Sequence, residues 1–298
     1  MKTLYESLLD DFDTLGAPLD AKSIKSQIKE FLKQTYKSPS NAKISTKPNE
    51  DGLYVVDWKS DLVVINESIE RLTNGLFTFG EVKGKFSCSW CQKLKTLEGA
   101  PQIVHGHVSY RYCSALESFK GGPQIVDGEY DFSLCKSLTS LEGAPKQCKR
   151  FMCQKTKDGY ALKSLEGCPQ AQEIILESIK GIKNLKGLPQ NNVQELKIID
   201  WPDLESLEGC PPIVSSWFSC IDCHSLKNFV GAPKEVGRIM TYDCAMLDGN
   251  HPEVLKGFPK KANQVDIFAK APAKLFTVDQ ICAVCDVDPN RVYCDWHR

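Results

Sequence analysis

Paired cysteines are the residues of this chain whose types and spacing best suit metal chemistry. Two pairs, Cys88-x-x-Cys91 and Cys220-x-x-Cys223, have the spacing of zinc half-sites. Both occupy the same place in an internal repeat and lie six repeats apart, roughly 29 Å at about 4.8 Å per repeat. Zinc–sulfur bonds of about 2.3 Å cannot span that distance. We therefore interpret the two pairs as a product of the repeat.

A sharper metal candidate lies near the C-terminus, where Cys282-x-x-Cys285 is followed by Cys294-x-x-His297. A combination of cysteines and a histidine at such spacing is a zinc signature. The sequence therefore offers Cys282, Cys285, Cys294 and His297 as an alternative metal site.

The same segment has the pattern of a terminal cap, which a stack of repeats needs over its last coil. Residues 277–280, Thr-Val-Asp-Gln, predict a capping box at the start of a short helix. Ile281, Val284 and Cys285 are spaced to share the inward face of that helix, and residues 292–294 predict a strand. We favour the cap, and we predict no bound metal and no cofactor.

Residue patterns of catalysis do not stand out in this sequence. Four histidines fall at different places in the repeat, with no partner at catalytic spacing: His105, His107, His224 and His251. No nucleophile elbow or phosphate-binding loop is present. The glutamates that recur at one turn, Glu98, Glu142, Glu166 and Glu208, are interpreted as structural. The sequence predicts that the protein is not an enzyme.

The repeat itself is carried by the phrase Leu-Glu-Gly-Ala-Pro, found at residues 97–101 and 141–145 and in several variants. Its prolines recur every 20 to 26 residues, as Pro101, Pro123, Pro145, Pro169, Pro189, Pro211, Pro233 and Pro259. A period in the low twenties predicts stacked coils in place of a single globular core. A stacked array of this kind usually works as a binding surface.

Apolar residues recur at fixed places in each repeat and predict the inside of the stack. Two columns alternate as on a strand. One contains Phe86, Val108, Tyr130, Phe151, Ile174, Leu196, Phe218 and Ile239; the other contains Cys88, Tyr110, Phe132, Cys153, Leu176, Ile198, Cys220 and Thr241. A third contains Leu94, Leu116, Leu138, Leu162, Ile182, Leu204, Leu226 and Leu247.

Five of the fourteen cysteines also share one column, ten residues before the repeat's proline in the regular coils: Cys91, Cys113, Cys135, Cys223 and Cys244. A column of small, weakly polar side chains predicts a buried ladder of free thiols, since unpaired cysteine is common in protein cores. Disulfides are disfavoured by this placement. Reduced thiols are typical of a reducing compartment such as the cytoplasm.

The best coils read Phe86-x-Cys88-x-x-Cys91-x-x-Leu94-x-x-Leu97-Glu98-Gly99-x-Pro101. This resembles the leucine-rich repeat over about residues 60–270, and Asn66 stands in the column of Cys91 as that family's pattern allows. The resemblance implies a β-solenoid with a parallel sheet on one side. The segment after Gly-x-Pro is too short and too rich in Gly and Pro for a regular helix, so turns or 3₁₀ pieces are expected on the convex side.

The pattern divides the chain into four parts. Residues 1–37 predict two short helices, one with Leu4, Leu8 and Leu9 on a face and one with Ile24, Ile28, Phe31 and Leu32. Residues 38–51 are polar and turn-rich and predict a linker. The solenoid is predicted over 52–276 and the cap over 277–298.

The first thirteen residues, Met-Lys-Thr-Leu-Tyr-Glu-Ser-Leu-Leu-Asp-Asp-Phe-Asp, with the lysine-rich helix after them, carry a second resemblance. They are similar to the leading segment of proteins encoded by tailed phages of gut Bacteroidales. In those proteins the segment precedes unrelated bodies, which implies a tag or docking piece.

Composition excludes several function classes. The net charge of −1 gives no basic footprint for nucleic acid. No apolar run approaches the length that spans a bilayer. Asp10 and Asp11 make the N-terminus acidic too early for a signal peptide. We expect a protein of the host cytoplasm or of a virion.

The candidate binding site lies at the positions that point outward between the buried columns. Early coils place serines there, but later coils place apolar residues, and a second apolar row adjoins the cysteine column. The predicted partner-binding residues are Trp90, Tyr112, Leu134, Ile175, Ile199, Ile221, Met240 and Tyr242. Exposed apolar residues in line and rimmed by acids are typical of a binding patch.

Two functions fit this pattern. The first is a non-enzymatic scaffold that binds another protein, encoded by a phage or its host. The alternative is a virion structural or packaged protein that is docked through residues 1–37. A structural explanation of the outward row also stays open, namely that residues 1–37 fold back and cover it.

Overall fold

The structure is a computed structural model that describes residues 20–154, 156–244, 252–270 and 276–297. Within these ranges the chain winds into a β-solenoid of about nine turns, here called coils, whose strands form one sheet and pair in parallel except for the first. The strands are β1 (Ala42–Ile44), β2 (Tyr54–Trp58), β3 (Leu62–Val63), β4 (Phe77–Val82), β5 (Phe86–Ser87), β6 (Ile103–Val104), β7 (Val108–Ser109), β8 (Ile125–Val126), β9 (Glu129–Asp131), β10 (Gln147–Cys153), β11 (Gln170–Glu177), β12 (Val193–Ile199), β13 (Ile213–Ile221), β14 (Glu235–Tyr242), β15 (Lys261–Lys270) and β16 (Val292–His297).

Helices are few. The described residues contain α1 (Ala21–Thr35), α2 (Val278–Cys282) and three short 3₁₀ helices at Pro39–Asn41, Pro252–Leu255 and Pro289–Arg291. No helix in the described part of the chain has the length and apolar character that crossing a bilayer requires.

The register of the strands confirms the first inward column. Phe151 pairs with Ile174, Ile174 with Leu196, Leu196 with Phe218, and Phe218 with Ile239, and all five side chains are fully buried. Side chains two residues apart on a strand point to the same face, so the second column is buried with the first. The third column is buried as well, except that Leu247 lies outside the described residues. The core is thus continuous from coil to coil.

The cysteine ladder is buried, and all fourteen cysteines are free. Two of the ladder thiols reach the backbone of the coil before them: Cys113 Sγ donates to the carbonyl of Cys88 and Cys135 Sγ to that of Tyr110, each at 3.0 Å. Burial raises the pKa of the Cys135 thiol to about 12. These thiols therefore serve as small core groups that also satisfy backbone carbonyls.

The Leu-Glu-Gly-Ala-Pro phrase forms a tight turn that leads directly into the next strand. The amide of Ala100 donates to the carbonyl of Leu97 at 2.9 Å, and Gly99 has a φ of +81°. A turn with positive φ at its third residue favours glycine. The segment after Gly-x-Pro is strand, since β10 begins at Gln147 after Pro145 and β11 at Gln170 after Pro169, so the prediction of turns or 3₁₀ pieces in that segment is wrong.

Helix α1 covers the N-terminal end of the core. Asp20 caps it by accepting from the Ser23 amide, and its apolar face buries Ile28 and Leu32. Tyr36, just past its end, is buried with its ring centroid 5.2 Å from that of Phe79. Residues 20–37 therefore lie over the end of the stack, so the alternative that residues 1–37 cover the outward row does not hold for this part of the segment. Leu4, Leu8 and Leu9 lie outside the described residues.

The predicted linker contains strand β1, which pairs with β2 in the antiparallel direction. Ala42 lies opposite Trp58 and Ile44 opposite Val56. Every other pair of neighbouring strands in the described sheet is parallel.

At the C-terminal end, helix α2 begins with the predicted capping box. Thr277 accepts from the Gln280 amide, and the Gln280 side chain accepts from the Thr277 amide. Ile281 and Cys285 are buried, but Val284 is 43% exposed, so its predicted inward orientation is wrong. Strand β16 then pairs with β15.

Candidate binding surface

The outward side chains of the long strands form two parallel rows that the strand register defines. The first row, between the two inward columns, contains Ser87, Ser109, Asp131, Met152, Ile175, Lys197, Ser219, Met240 and Asp266. The second row lies next to it and contains Glu177, Ile199, Ile221, Tyr242, Phe268 and Asp295.

The predicted patch of later-coil residues is divided between these rows. Ile175 and Met240 share the first row, but Lys197 and Ser219 stand between them. Ile199, Ile221 and Tyr242 are direct neighbours in the second row and form a half-buried apolar stripe. Phe268 extends this stripe, although the sequence analysis did not predict it as a binding residue.

A third row follows the strands directly and has unusual backbone geometry. Its residues all have positive φ: Trp90 (69°), Tyr112 (63°), Leu134 (67°), Ser178 (58°), Asp200 (60°), Asp222 (54°) and Asp243 (48°). Apart from that of Leu134, their amides are equivalent, since each donates to a carbonyl of the next coil, as Trp90 does to Arg111 and Tyr112 to Ser133. We call this set the left-handed row.

The two halves of the left-handed row differ in how well their residues suit that conformation. Aspartate tolerates positive φ because its short polar side chain bonds to local backbone, so the later coils need no further explanation. A bulky residue there is an outlier that costs about 1–2 kcal/mol. Backbone preference therefore does not explain why Trp90, Tyr112 and Leu134 stand at these positions. This indicates that the protein requires their side chains for another reason.

The side chains of Trp90 and Tyr112 stack on each other at the protein surface. Their ring centroids are 3.8 Å apart and their planes meet at 9°, while Trp90 remains 46% exposed. Polar side chains border the pair: Ser89 Oγ lies 3.0 Å from Ser109 Oγ, and Arg111 forms an ion pair with Asp131. The result is an exposed aromatic pair within a polar rim, which is the arrangement of a binding hot spot.

Leu134 continues the aromatic pair by one coil. Its amide donates to the hydroxyl of Tyr160 at 2.7 Å, and that hydroxyl donates to the carbonyl of Gln154 at 2.9 Å. This bond fixes the backbone of Leu134 in its left-handed conformation. The three apolar residues of the row thus have fixed backbones before any partner arrives.

Charged side chains form ladders across the coils near these rows. Arg150 contacts Glu129 and Glu173 on its two neighbouring coils, each at 2.5 Å. The ring of Trp217 has Arg238 4.7 Å and Lys197 5.2 Å from its centroid. Because each cation already has a partner on an adjacent coil, these ladders hold coils together.

His105 has partners that the sequence did not indicate. Its Nε2 lies 2.6 Å from Glu81 and its Nδ1 2.8 Å from Asp127, one coil away on either side. The hydrogen bond with Glu81, and then that with Asp127, raises the pKa of the ring. Because carboxylates occupy both ring nitrogens, neither nitrogen is open to take a proton from a substrate. The sequence showed no partner at catalytic spacing for this histidine, because its two carboxylates lie 24 and 22 residues away along the chain.

Two groups of side chains in the described chain come close enough to share a metal ion. Cys220, Cys223 and Cys244 form the first, and Asp222, His224 and Asp243 form the second, with ligand atoms within 4.8 Å of one another in each group. Both aspartates of the second group belong to the left-handed row, where the backbone already favours aspartate.

The alternative metal site at the C-terminus does not assemble in the described residues. Cys285 is buried and Cys282 and Cys294 are half-buried, and these three thiols do not form such a group. The side chain of His297 lies outside the described part of the chain.

Comparison of the chain with protein-family models, with curated proteins and with solved structures gives no match. The resemblances to leucine-rich repeats and to phage-encoded proteins therefore stay predictions, and the second depends mainly on residues 1–19, outside the described part of the chain.

Proposed function

We propose that the protein is a non-enzymatic scaffold of the leucine-rich-repeat type that binds another protein through the outer face of its sheet. The observation that carries this proposal is the stacked pair of Trp90 and Tyr112. Both rings are held at the surface on backbone positions that disfavour bulky side chains, and their exposure has no benefit for the core.

A rigid platform suits protein recognition. The aromatic pair stands on a backbone fixed by hydrogen bonds to the next coil, so little conformational entropy is lost when a partner binds. Tryptophan and tyrosine are enriched among the residues that dominate interface energies. Leu134 and the polar rim would complete the patch, with Arg111 available for a hydrogen bond at its edge.

The later coils support a second contact with the same partner. The apolar stripe of Ile199, Ile221 and Tyr242 runs beside Asp200 and Asp222 of the left-handed row. An apolar stripe next to a line of carboxylates is complementary to a segment that alternates apolar and basic residues. We propose that the partner presents such a segment.

The free thiols support a reducing compartment for this scaffold, the cytoplasm in particular. All fourteen cysteines are unpaired although several lie on adjacent coils. A secreted chain with this many cysteines would usually use them as disulfides.

The test is comparative affinity capture from lysate of the cells that express the protein. The double variant Trp90→Asn/Tyr112→Asn removes both rings and places residues that tolerate positive φ. Val230→Asn is the matched control, because it removes another exposed apolar side chain, outside these rows. We expect one partner to be captured by the wild type and the control and lost from the double variant, with melting temperatures unchanged. Equal capture by all three proteins would contradict the proposal.

A further inference from the structure

We infer that Cys220, Cys223 and Cys244 form a binding site for one zinc ion inside the solenoid. The inference is independent of the proposed function. Among the described residues, this is the one set of three thiols whose sulfur atoms all lie within 4.8 Å of one another.

The geometry of the three sulfur atoms matches the size of the ion. Cys220 Sγ and Cys244 Sγ are 4.0 Å apart. An ion at the centre of a sulfur triangle with sides of about 4.0 Å lies about 2.3 Å from each corner, which is the zinc–sulfur bond length. The other two sulfur–sulfur distances are at most 4.8 Å, so the trio would contract by less than 1 Å along each side to coordinate zinc.

The repeat brings the three thiols together from two adjacent coils. Cys220 lies in the second inward column on β13, and Cys223 lies three residues later in the cysteine column of the same coil. Cys244 holds the cysteine column on the next coil, and its thiol contacts the carbonyl of Cys220 at 3.4 Å. A Cys-x-x-Cys turn thus receives its third ligand from the neighbouring coil.

The neighbouring positions of both columns add no further thiol to the trio. In the second inward column Ile198 precedes Cys220 and Thr241 follows it, and Trp201 precedes Cys223 in the cysteine column. None of these three is a thiol. The cluster therefore offers one site of three sulfur ligands and does not continue along the ladder.

The chemistry of the site selects a soft ion. Cys220 and Cys223 are 0% exposed and Cys244 is 5% exposed, so the sulfur ligands lie in an apolar core and would give up their protons when the ion binds. Such ligands favour zinc and copper(I) over hard cations. Three thiolates on Zn²⁺ leave one net negative charge, whereas on copper(I) they leave two, and buried charge is costly. Zinc is therefore the ion that we assign.

The chain contains its own control. Cys88, Cys91 and Cys113 occupy the same three repeat positions in earlier coils, but their sulfur atoms are not gathered within the same distance. There the Cys113 thiol donates to the carbonyl of Cys88 at 3.0 Å, closer than the corresponding contact of Cys244. A serine in place of Cys113 tests whether any ladder position matters.

The experiment uses the reduced, metal-free full chain. Zn²⁺ binding is measured by equilibrium dialysis with metal analysis, and Cd²⁺ is titrated as a probe through its sulfur-to-metal charge-transfer absorption. We expect one ion per chain in the wild type and in Cys113→Ser. Cys244→Ser and Cys223→Ser should weaken binding by more than about 100-fold, beyond what loss of an outer-shell contact does. Zinc should raise the melting temperatures of the wild type and of Cys113→Ser, but not those of Cys244→Ser and Cys223→Ser.

Several results would overturn the assignment. The absence of saturable Zn²⁺ and Cd²⁺ binding by the wild type would do so, as would equal binding by Cys244→Ser. Loss of binding in Cys282→Ser/Cys285→Ser, with Cys244→Ser unaffected, would assign the ion to the C-terminal cysteines. If Cys244→Ser does not fold without metal, the Cys244→Ala variant and the wild-type titration test the same assignment.

Discussion

Arg238 Nε donates a hydrogen bond of 2.5 Å to Asp266 Oδ2, which joins strand β14 to strand β15. The carboxylate is almost completely enclosed, because Asp266 is 2% exposed. Gln264 donates a second hydrogen bond to it at 3.0 Å. This ion pair thus joins a buried carboxylate with a supporting amide to a guanidinium group whose side chain is 36% exposed.

Replacing Arg238 with methionine should destabilise the protein by about 3 kcal/mol, since Asp266 would be left as a buried charge without its cation. Urea denaturation measures the loss. The matched control is Lys136→Met, which breaks the exposed ion pair with Asp158 and should cost less than about 1 kcal/mol. Equal losses in the two variants would show that Asp266 does not depend on Arg238.

Gly143 and Gly181 provide a test of close coil stacking. Both have positive φ, at 83° and 80°. A Cβ on Gly143 would lie 2.3 Å from the carbonyl oxygen of Phe119, whereas a Cβ on Gly181 would meet nothing within 4 Å. Gly181→Ala should cost about 1 kcal/mol from backbone strain alone. Gly143→Ala should cost about 3 kcal/mol, because a clash with backbone is added. Similar unfolding free energies for the two variants would contradict the role of Gly143 in stacking.

Substitutions of Leu134 and Leu138 test whether the left-handed row belongs to the surface of the protein or to its core. Leu134→Asn should change the unfolding free energy by less than about 1 kcal/mol, because relief of left-handed strain offsets the lost apolar contact. Leu138→Asn should cost at least about 3 kcal/mol, since it removes a buried side chain and buries an amide. Thermal and urea unfolding of both variants measure the difference. A large loss in Leu134→Asn would mean that the left-handed row is part of the core.

His105 should make stability depend on pH. Its pKa is raised in the folded state by Glu81 and Asp127, with Lys83 beside Glu81 acting in the opposite direction. The stabilisation is therefore complete below the unfolded-state pKa of about 6.5 and is lost as pH rises through the higher folded-state pKa. The wild type should melt above His105→Asn at pH 5, and the gap should close at alkaline pH. The effect is small because the ring is exposed.

The control for His105 removes the carboxylates and keeps the ring. In Glu81→Gln/Asp127→Asn the imidazolium has no anionic partner, so replacing His105 in that background should no longer shift the melting temperature with pH. A pH-dependent gap that survives in this background would assign the effect to another group.

The sequence predicted the parallel coils and their buried columns because a repeat puts equivalent side chains into equivalent places. Ile174, Leu196 and Phe218 each stand 15 residues before the next proline of the repeat, and the strand register follows that alignment. The outer face was predicted less well. Ile175 and Ile199 look equivalent as exposed isoleucines, but they occupy neighbouring rows, two residues apart on their strands.

Contacts across adjacent coils were missed for one common reason. Asp127 lies 22 residues from His105, and Cys244 lies 24 residues from Cys220. These separations equal one repeat, which is too long for a local motif and too short to look like a distant pairing. The positive φ of Trp90 had no signal at all, because its residue type disfavours that conformation.

Strand β1 has a consequence for self-assembly. A stack of parallel coils is a template for its own extension, and a second molecule that added end to end would begin a fibre. At the N-terminal end the sheet finishes with a strand of reversed direction, and α1 covers the core beside it. In the described part of the chain, an incoming parallel coil would meet a strand of opposite direction and a core beside it that α1 covers. The reversed strand therefore acts as a terminator of polymerisation at this end of the molecule.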